Sequence, residues 1–212
     1  MNLMVYEKKL WVTGIKRIAC CDEVGRGCLF GPVVAAAVIL EPWDQIDGVV
    51  DSKKIPEKVR EQLYDVIMNR AVAVGIGEIS VQNIETFNIK QASRMAMKLA
   101  IENLATKDGL PVQPEALLID AETVNLPYPQ ESMIRGEDQV HGIAAASIIA
   151  KVTRDRMCRE WHKIYPEYGL DLHKGYATKM HREALIMHGP TPLHRTSFLR
   201  NIFRERGHPN ES

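Results

Sequence analysis

"ACCDEVGRGCLFGPVVAAAVIL", residues 19–40, sets two carboxylates, Asp22 and Glu23, between an apolar run and a glycine-rich turn. Residues 17–24 and 33–40 read as two short buried strands joined by that turn, because each is an apolar run bounded by Gly or Pro. Charges in such a place are costly to fold around unless something neutralises them. The glycines do not make a dinucleotide-binding loop. Their spacing is Gly25, Gly27, Gly31, with Phe30 where a third glycine is needed, and a strand, not a helix, follows. Two acids ahead of the turn would also repel a pyrophosphate.

Beyond this stretch, "DSKKIPEKVREQLYDVIMNR" (51–70) reads as a helix, with Pro56 in its first turn and Val59, Leu63, Val66 and Ile67 as its apolar stripe. "AVAVGIGEIS" (71–80) returns to strand, and 81–104 has a composition that favours helix. The loop "KDGLPVQPE" leads into a short strand, "ALLID", ending at Asp120, and "VNLPYPQES" reads as a second loop. After Glu137 and Asp138 comes a long helix, small and apolar in its first half and basic in its second. Turn signals at Pro166, Gly169, Gly175, Gly189, Pro190 and Pro192 then separate short helices. Strands alternating with helices predict an α/β sheet core with a helical C-terminal annex.

The 212 residues carry 27 basic and 27 acidic side chains, so net charge points to no partner. Its distribution is more informative. Residues 113–150 hold six acids against one base, whereas 151–212 hold twelve Lys or Arg against seven acids and six of the seven histidines. An acidic centre beside a basic C-terminal third could seat a cation next to a polyanion. Cys20, Cys21, Cys28 and Cys158 form no C-x-x-C pair and read as buried thiols of a reducing compartment. The opening residues show no signal core, and the longest apolar run, 33–40, is far short of the ~20 residues that span a bilayer. The chain is therefore expected to be cytoplasmic, with no membrane association. The closing "GHPNES" carries no docking motif and reads as a frayed end.

Three positions could carry chemistry: Asp22 and Glu23, Asp120, and the pair Glu137–Asp138 opening a helix. Ligand sites of open α/β sheets gather at strand ends, so Asp22 and Asp120 could meet if their strands are neighbours. Asp22 and Glu23 would point to opposite faces of a regular strand; the turn beginning at Gly25 offers a reason for the strand to end there. Crowded carboxylates need a cation, and hard oxygen ligands suit Mg²⁺ or Mn²⁺. Taken singly, each acid could equally be a turn acceptor or a helix cap.

These segments resemble the ribonuclease HII family. "CDEVGRGCLFGPVVAAAVIL" is similar to its D-E-x-G-R-G signature. The resemblance continues in the family's order through "DSKKIPEKVREQLY", "GEISVQNIETFNIKQASRMAM", "LLIDA", "IAAASIIAKVTRDR", "YPEYGLDLHKGYAT" and "GPTPLHRTSF". It implies an RNase H-like fold: a mixed central sheet flanked by helices, with a catalytic core over 1–164 and a helical extension over 165–212 packed on it and contributing to substrate binding. It also implies endonucleolytic cleavage of RNA paired with DNA, including nicking 5′ of single ribonucleotides in duplex DNA, dependent on Mg²⁺ or Mn²⁺. The expected partners are RNA–DNA hybrid and ribonucleotide-containing duplex DNA, acted on by a monomer without an obligate protein partner. Asp22, Glu23 and Asp120 match the family's metal-binding acids. Its fourth acid sits in a K-G-D-A segment that here reads "RGED", which aligns Glu137, not Asp138, with the family's Asp; a one-residue slip would substitute Asp138. Gly25, Arg26 and Gly27 match the turn that touches the 2′-hydroxyl, and Tyr176 matches a tyrosine that packs on the neighbouring deoxyribose. Lys53, Lys54, Lys151, Arg154 and Lys174 are candidate phosphate contacts. Cys28 and Phe30 depart from the family's usual Pro and Ala. Two rivals stay open: a relative that cuts only long hybrids, and a catalytically silent hybrid-binding module.

Overall fold

A computed structural model describes residues 3–204; "GHPNES" lies outside them. In chain order the elements are α1 (Val5–Val12), β1 (Ile18–Val24), β2 (Val33–Ile39), α2 (Glu57–Arg70), β3 (Ala73–Ile79), α3 (Val81–Glu102), β4 (Ala116–Asp120), β5 (Gln130–Met133), α4 (His141–Ile164), α5 (Leu170–His173), α6 (Lys179–His188) and α7 (Thr196–Arg204). The strands form one mixed sheet in the order β3-β2-β1-β4-β5. β1 and β2, and β2 and β3, run antiparallel, whereas β4 lies parallel to β1 and to β5.

β2 explains why "VVAAAVI" is apolar throughout: every residue in it is buried, because both faces of the sheet are covered. On one face Ala35, Ala37 and Ile39 meet Ala92, Ala96, Met97 and Ala100 of α3. On the other, Ala36 and Val38 meet Leu63 and Ile67 of α2 and the small-residue first half of α4. α3 comes so close to β3 that a Cβ on Gly75 would lie 2.0 Å from the Ala100 carbonyl oxygen, and one on Gly77 2.1 Å from that of Ala96.

Several sequence expectations need correction. "VNLPYPQES" is not all loop: residues 130–133 form β5, whose two central residues are exposed and which joins the sheet through backbone pairing with β4. The helix over 81–104 is interrupted at Asn88, which adopts φ +67° and accepts hydrogen bonds from the Lys90 and Gln91 amides, capping the second segment. The expected stripe of α2 is half right: Leu63 and Ile67 are buried, but Val59 and Val66 are 42% and 39% exposed and Arg60 takes the third buried place. α1 packs Leu10 and Trp11 near Ile18, Leu118 and Met133, and its Glu7 accepts the Gly142 amide at the start of α4. All four cysteines are buried and free.

Residues 165–204 pack on the core through Phe30. Its ring is fully buried and contacts Trp161, Tyr165 and His194, within a cluster that also holds Tyr168, Leu170, Leu185 and Leu199. The bulk of Phe30 therefore serves as the anchor for this extension.

Candidate active site

Pairing between β1 and β4 ends at Cys21–Ile119, so Asp22 and Asp120 follow at the same end of adjacent parallel strands. β1 runs to Val24 against β2, in line with the strand expected over 17–24, and it is β4 that ends at Asp120, leaving this edge of β1 open. One carboxylate oxygen from each of Asp22, Glu23 and Asp120 lies within 4.8 Å of the others.

The fourth side of the cluster comes from the segment after β5. Asp120 Oδ1 accepts the Gly136 amide at 2.6 Å, and Arg135, at φ +57°, swings the chain into a 3-10 turn over Gly136–Asp138. That turn separates the two candidate acids. Glu137 is buried, and its charge helps raise the pKa values of Asp22 and Asp120. Asp138 spends its oxygens on Lys54 at 2.5 Å and Arg135 at 2.6 Å, which hold its carboxyl below the usual range. Glu137 faces the cluster and Asp138 faces the lysine.

Burial, followed by the charges of Glu23 and Asp120, pushes the Asp22 carboxyl well above its ordinary range. Burial, with Glu137 and Glu23 beyond it, raises Asp120 to about 6 despite the Gly136 amide. Burial raises Glu23 as well, and Arg26 pulls it back. Among the described residues, Glu23 Oε2 and Glu137 Oε2 are buried without a hydrogen-bond donor. Buried carboxylates that raise one another and leave oxygens unsatisfied fit a divalent cation with oxygen ligands.

Beside the acids lies the glycine turn. Gly25 has φ +95°, and a Cβ there would meet Arg154 Nε at 2.5 Å, so the fold itself requires glycine. Gly27 differs: a Cβ would find nothing within 4 Å, and the turn is open on that side. Arg26 reaches Glu23 at 3.1 Å and Glu122 at 3.6 Å. Glu122, not among the expected site residues, is buried and held by Arg94 at 2.8 Å.

Two arginines support the turn from beneath. Arg154 is fully buried and donates to the Phe30 and Lys174 carbonyls at 2.8 and 2.7 Å, so it is not available to a phosphate as the sequence had led one to expect. Arg195, which motif reading did not single out, is equally buried and donates to the Gly31 and Arg26 carbonyls. Lys174 is buried and Lys151 is paired with Asp155 at 2.6 Å. Lys53 and Lys54 do reach the site's mouth, pairing with Glu137 and Asp138 through exposed side chains.

Tyr176 is 41% exposed on a loop tied to the turn by the Leu29 amide donating to the Gly175 carbonyl. A buried histidine chain braces it from behind. The Thr191 amide donates to His194 Nδ1, His194 Nε2 donates to His181 Nε2 at 3.1 Å, and His181 Nδ1 donates to the Tyr176 carbonyl. Burial drives the pKa values of His181 and His194 down to about 4 and about 3. Folded-state values below the unfolded ~6.5 mean that their stabilisation is present above that pH and is lost on acidification, by about 1.4 kcal/mol per imidazole per pH unit. Proton NMR should show neither ring titrating between pH 8 and 5; a midpoint above 6 for either would contradict the buried neutral chain.

Among the described residues no helix is long and apolar enough to cross a membrane. The profile described as Ribonuclease HII matches residues 19–201. Ribonuclease HII of Alkaliphilus oremlandii is 56% identical over 92% of this chain and 97% of its own, and that of Bacillus subtilis is 48% identical over 93% and 75%. Ribonuclease H2 of Pyrococcus horikoshii superposes with a TM-score of 0.73 at 22% identity, covering 89% of this chain and 98% of its own. Bst-RNase HIII, solved in complex with Mn²⁺, gives 0.64 at 20% identity, covering 98% and 67%; these two show a shared fold. With the carboxylates gathered beside an open glycine turn and this similarity over nearly the whole length, the chain belongs to the ribonuclease HII family, endoribonucleases that hydrolyse RNA paired with DNA.

Proposed function

We propose that this ribonuclease nicks duplex DNA on the 5′ side of a single embedded ribonucleotide, as well as cutting longer hybrids, and leaves 3′-hydroxyl and 5′-phosphate ends. The observation that carries the reading is the gathering of three carboxylate oxygens within 4.8 Å beside a glycine, Gly27, whose missing side chain the fold does not demand. Open space over Gly27 lets a sugar edge lie against backbone, where the 2′-hydroxyl, both donor and acceptor, distinguishes RNA from DNA.

Asp22, Glu23, Asp120 and Glu137 would hold Mg²⁺ or Mn²⁺, two ions during catalysis. When bound, such ions supply an activated water and charge neutralisation at the leaving oxygen. The chain's own contribution is placement. Gly25, Arg26 and Gly27 receive the ribonucleotide, and Tyr176 stacks on the neighbouring deoxyribose. The buried Arg154, bonded to the Phe30 and Lys174 carbonyls, fixes the distance between those two elements. Lys53 and Lys54 sit where they can exchange a carboxylate partner for a backbone phosphate. Residues 165–212 serve as an extension of the 1–164 core that completes the substrate surface, an assignment supported by Tyr176 lying within it. Four buried free thiols fit an enzyme of the reducing cytoplasm, and we read the enzyme as acting as a monomer.

A duplex carrying one ribonucleotide, incubated with Mg²⁺ or Mn²⁺ and with a chelator control, tests this. The expected product is a single metal-dependent nick mapping to the 5′ side of the ribose. Intact strands under both metals, with a long hybrid still cut, would overturn the junction reading.

A further inference from the structure

We propose that Glu122 is a positioning residue that draws Arg26 away from Glu23 when a cation enters the carboxylate cluster. This inference rests on the reading of Asp22, Glu23, Asp120 and Glu137 as the cation site.

One guanidinium nitrogen of Arg26 stands between two carboxylates, 3.1 Å from Glu23 Oε1 and 3.6 Å from Glu122 Oε1. Both carboxylate side chains are only 7% exposed, whereas Arg26 is 39% exposed, so the arginine is the mobile partner and the acids are fixed. Two features hold Glu122 in place. Arg94 Nε donates to its other oxygen, Oε2, at 2.8 Å. Ala121, at φ +51°, turns the chain directly after Asp120 and donates its amide to the Met133 carbonyl at the end of β5. A left-handed alanine is uncommon, and here it brings a second acid into the neighbourhood of the cluster immediately after Asp120.

Arg26 holds Glu23 Oε1 and leaves the buried Oε2 unpaired, so the two need not contest one oxygen; but a guanidinium left on a ligating carboxylate weakens it as a ligand and repels the incoming ion. Arg26 therefore opposes the cation at Glu23. Glu122 offers a prepared alternative: the arginine need only close from 3.6 Å to the ~2.8 Å of a charge-assisted hydrogen bond. With Glu122 neutralised, Arg26 stays on Glu23 and cation binding weakens. Because Arg26 also belongs to the glycine turn, the same exchange sets that turn's arginine in its cation-loaded position.

The test is Mn²⁺ binding to the full chain without nucleic acid, by calorimetry and by electron paramagnetic resonance of free Mn²⁺. The proteins are the wild type, Glu122→Gln, Arg26→Ala, the double variant and Asp22→Asn. Glu122→Gln should weaken Mn²⁺ binding about 5- to 10-fold, Arg26→Ala should tighten it, and Glu122→Gln should change it less than about twofold once Arg26 is gone, since coupling requires both partners. If Glu122→Gln weakens binding equally with and without Arg26, Glu122 acts through its bare charge and the positioning role is overturned. An Arg26→Ala protein that binds no more tightly than wild type overturns it too. Asp22→Asn with wild-type affinity brings down the cation site itself, and this proposal with it. Thermal melts of each variant separate loss of binding from loss of fold.

Discussion

Asp120→Asn lowers single-turnover cleavage by at least about 1,000-fold while changing hybrid affinity less than about threefold. Asparagine keeps the shape of the side chain, and its carbonyl oxygen can still accept the Gly136 amide that Asp120 Oδ1 accepts at 2.6 Å, so the 3-10 turn should stay in place. What disappears is a charge at the centre of the cluster, and with it cation binding. A barrier increase of about 4 kcal/mol corresponds to that factor. The same assay, with affinity followed by fluorescence anisotropy, separates the adjacent acids. Glu137→Gln should cost at least about 100-fold, because its carboxylate faces Asp22 and Asp120, and Asp138→Asn less than about threefold, because Asp138 is spent on Lys54 and Arg135. Turnover within tenfold of wild type for Asp120→Asn under Mg²⁺ would sink the assignment of the cluster. A reversed order for Glu137 and Asp138 would mean that the turn is read wrongly.

Gly75→Ala should destabilise the fold by about 3 kcal/mol or more, one of the larger effects available from adding a single methyl group. The new Cβ would lie 2.0 Å from the Ala100 carbonyl oxygen, 2.8 Å from the Leu104 nitrogen and 2.9 Å from the Asn103 carbonyl carbon. All three are backbone atoms, so no rotamer change can relieve the clash, and α3 must move off β3. Gly77→Ala meets the Ala96 carbonyl oxygen at 2.1 Å and should behave alike. Gly109→Ala is the control. Its φ of +80° costs about 1–2 kcal/mol on any L-residue, but a Cβ there meets nothing. For a chain of this length each kcal/mol corresponds to roughly 2–4 °C in melting temperature. Chemical denaturation that places Gly75→Ala no lower than Gly109→Ala would contradict the close packing of α3 on the sheet.

What could be read from the residues alone was whatever neighbours in the chain encode. The unbroken run "VVAAAVI" announces a strand covered on both faces, and "ALLID" a short strand that delivers Asp120 to a sheet end. The glycine turn after Asp22 and Glu23 is equally local. Four matters were not legible. β5 is polar and exposed along its middle, so its membership of the sheet rests on backbone pairing with β4 and leaves no hydrophobic alternation. Arg154 read as a phosphate contact and Arg195 was not singled out at all, yet carbonyls contributed by several separate segments surround both in the interior. Glu122 looked like one acid among six, and acquires its place only through Arg94 and Arg26. The choice between Glu137 and Asp138 was undecidable because both are acids one residue apart. The structure sets them apart: the left-handed Arg135, with Lys53 and Lys54 from 84 residues away, turns Glu137 inward and Asp138 outward. Periodicity and turn chemistry are properties of adjacent residues, so the elements and the acids at their ends were written in the chain. Partners for a buried charge are chosen across the fold, where desolvation makes every unpaired group costly, and only the assembled structure could name them.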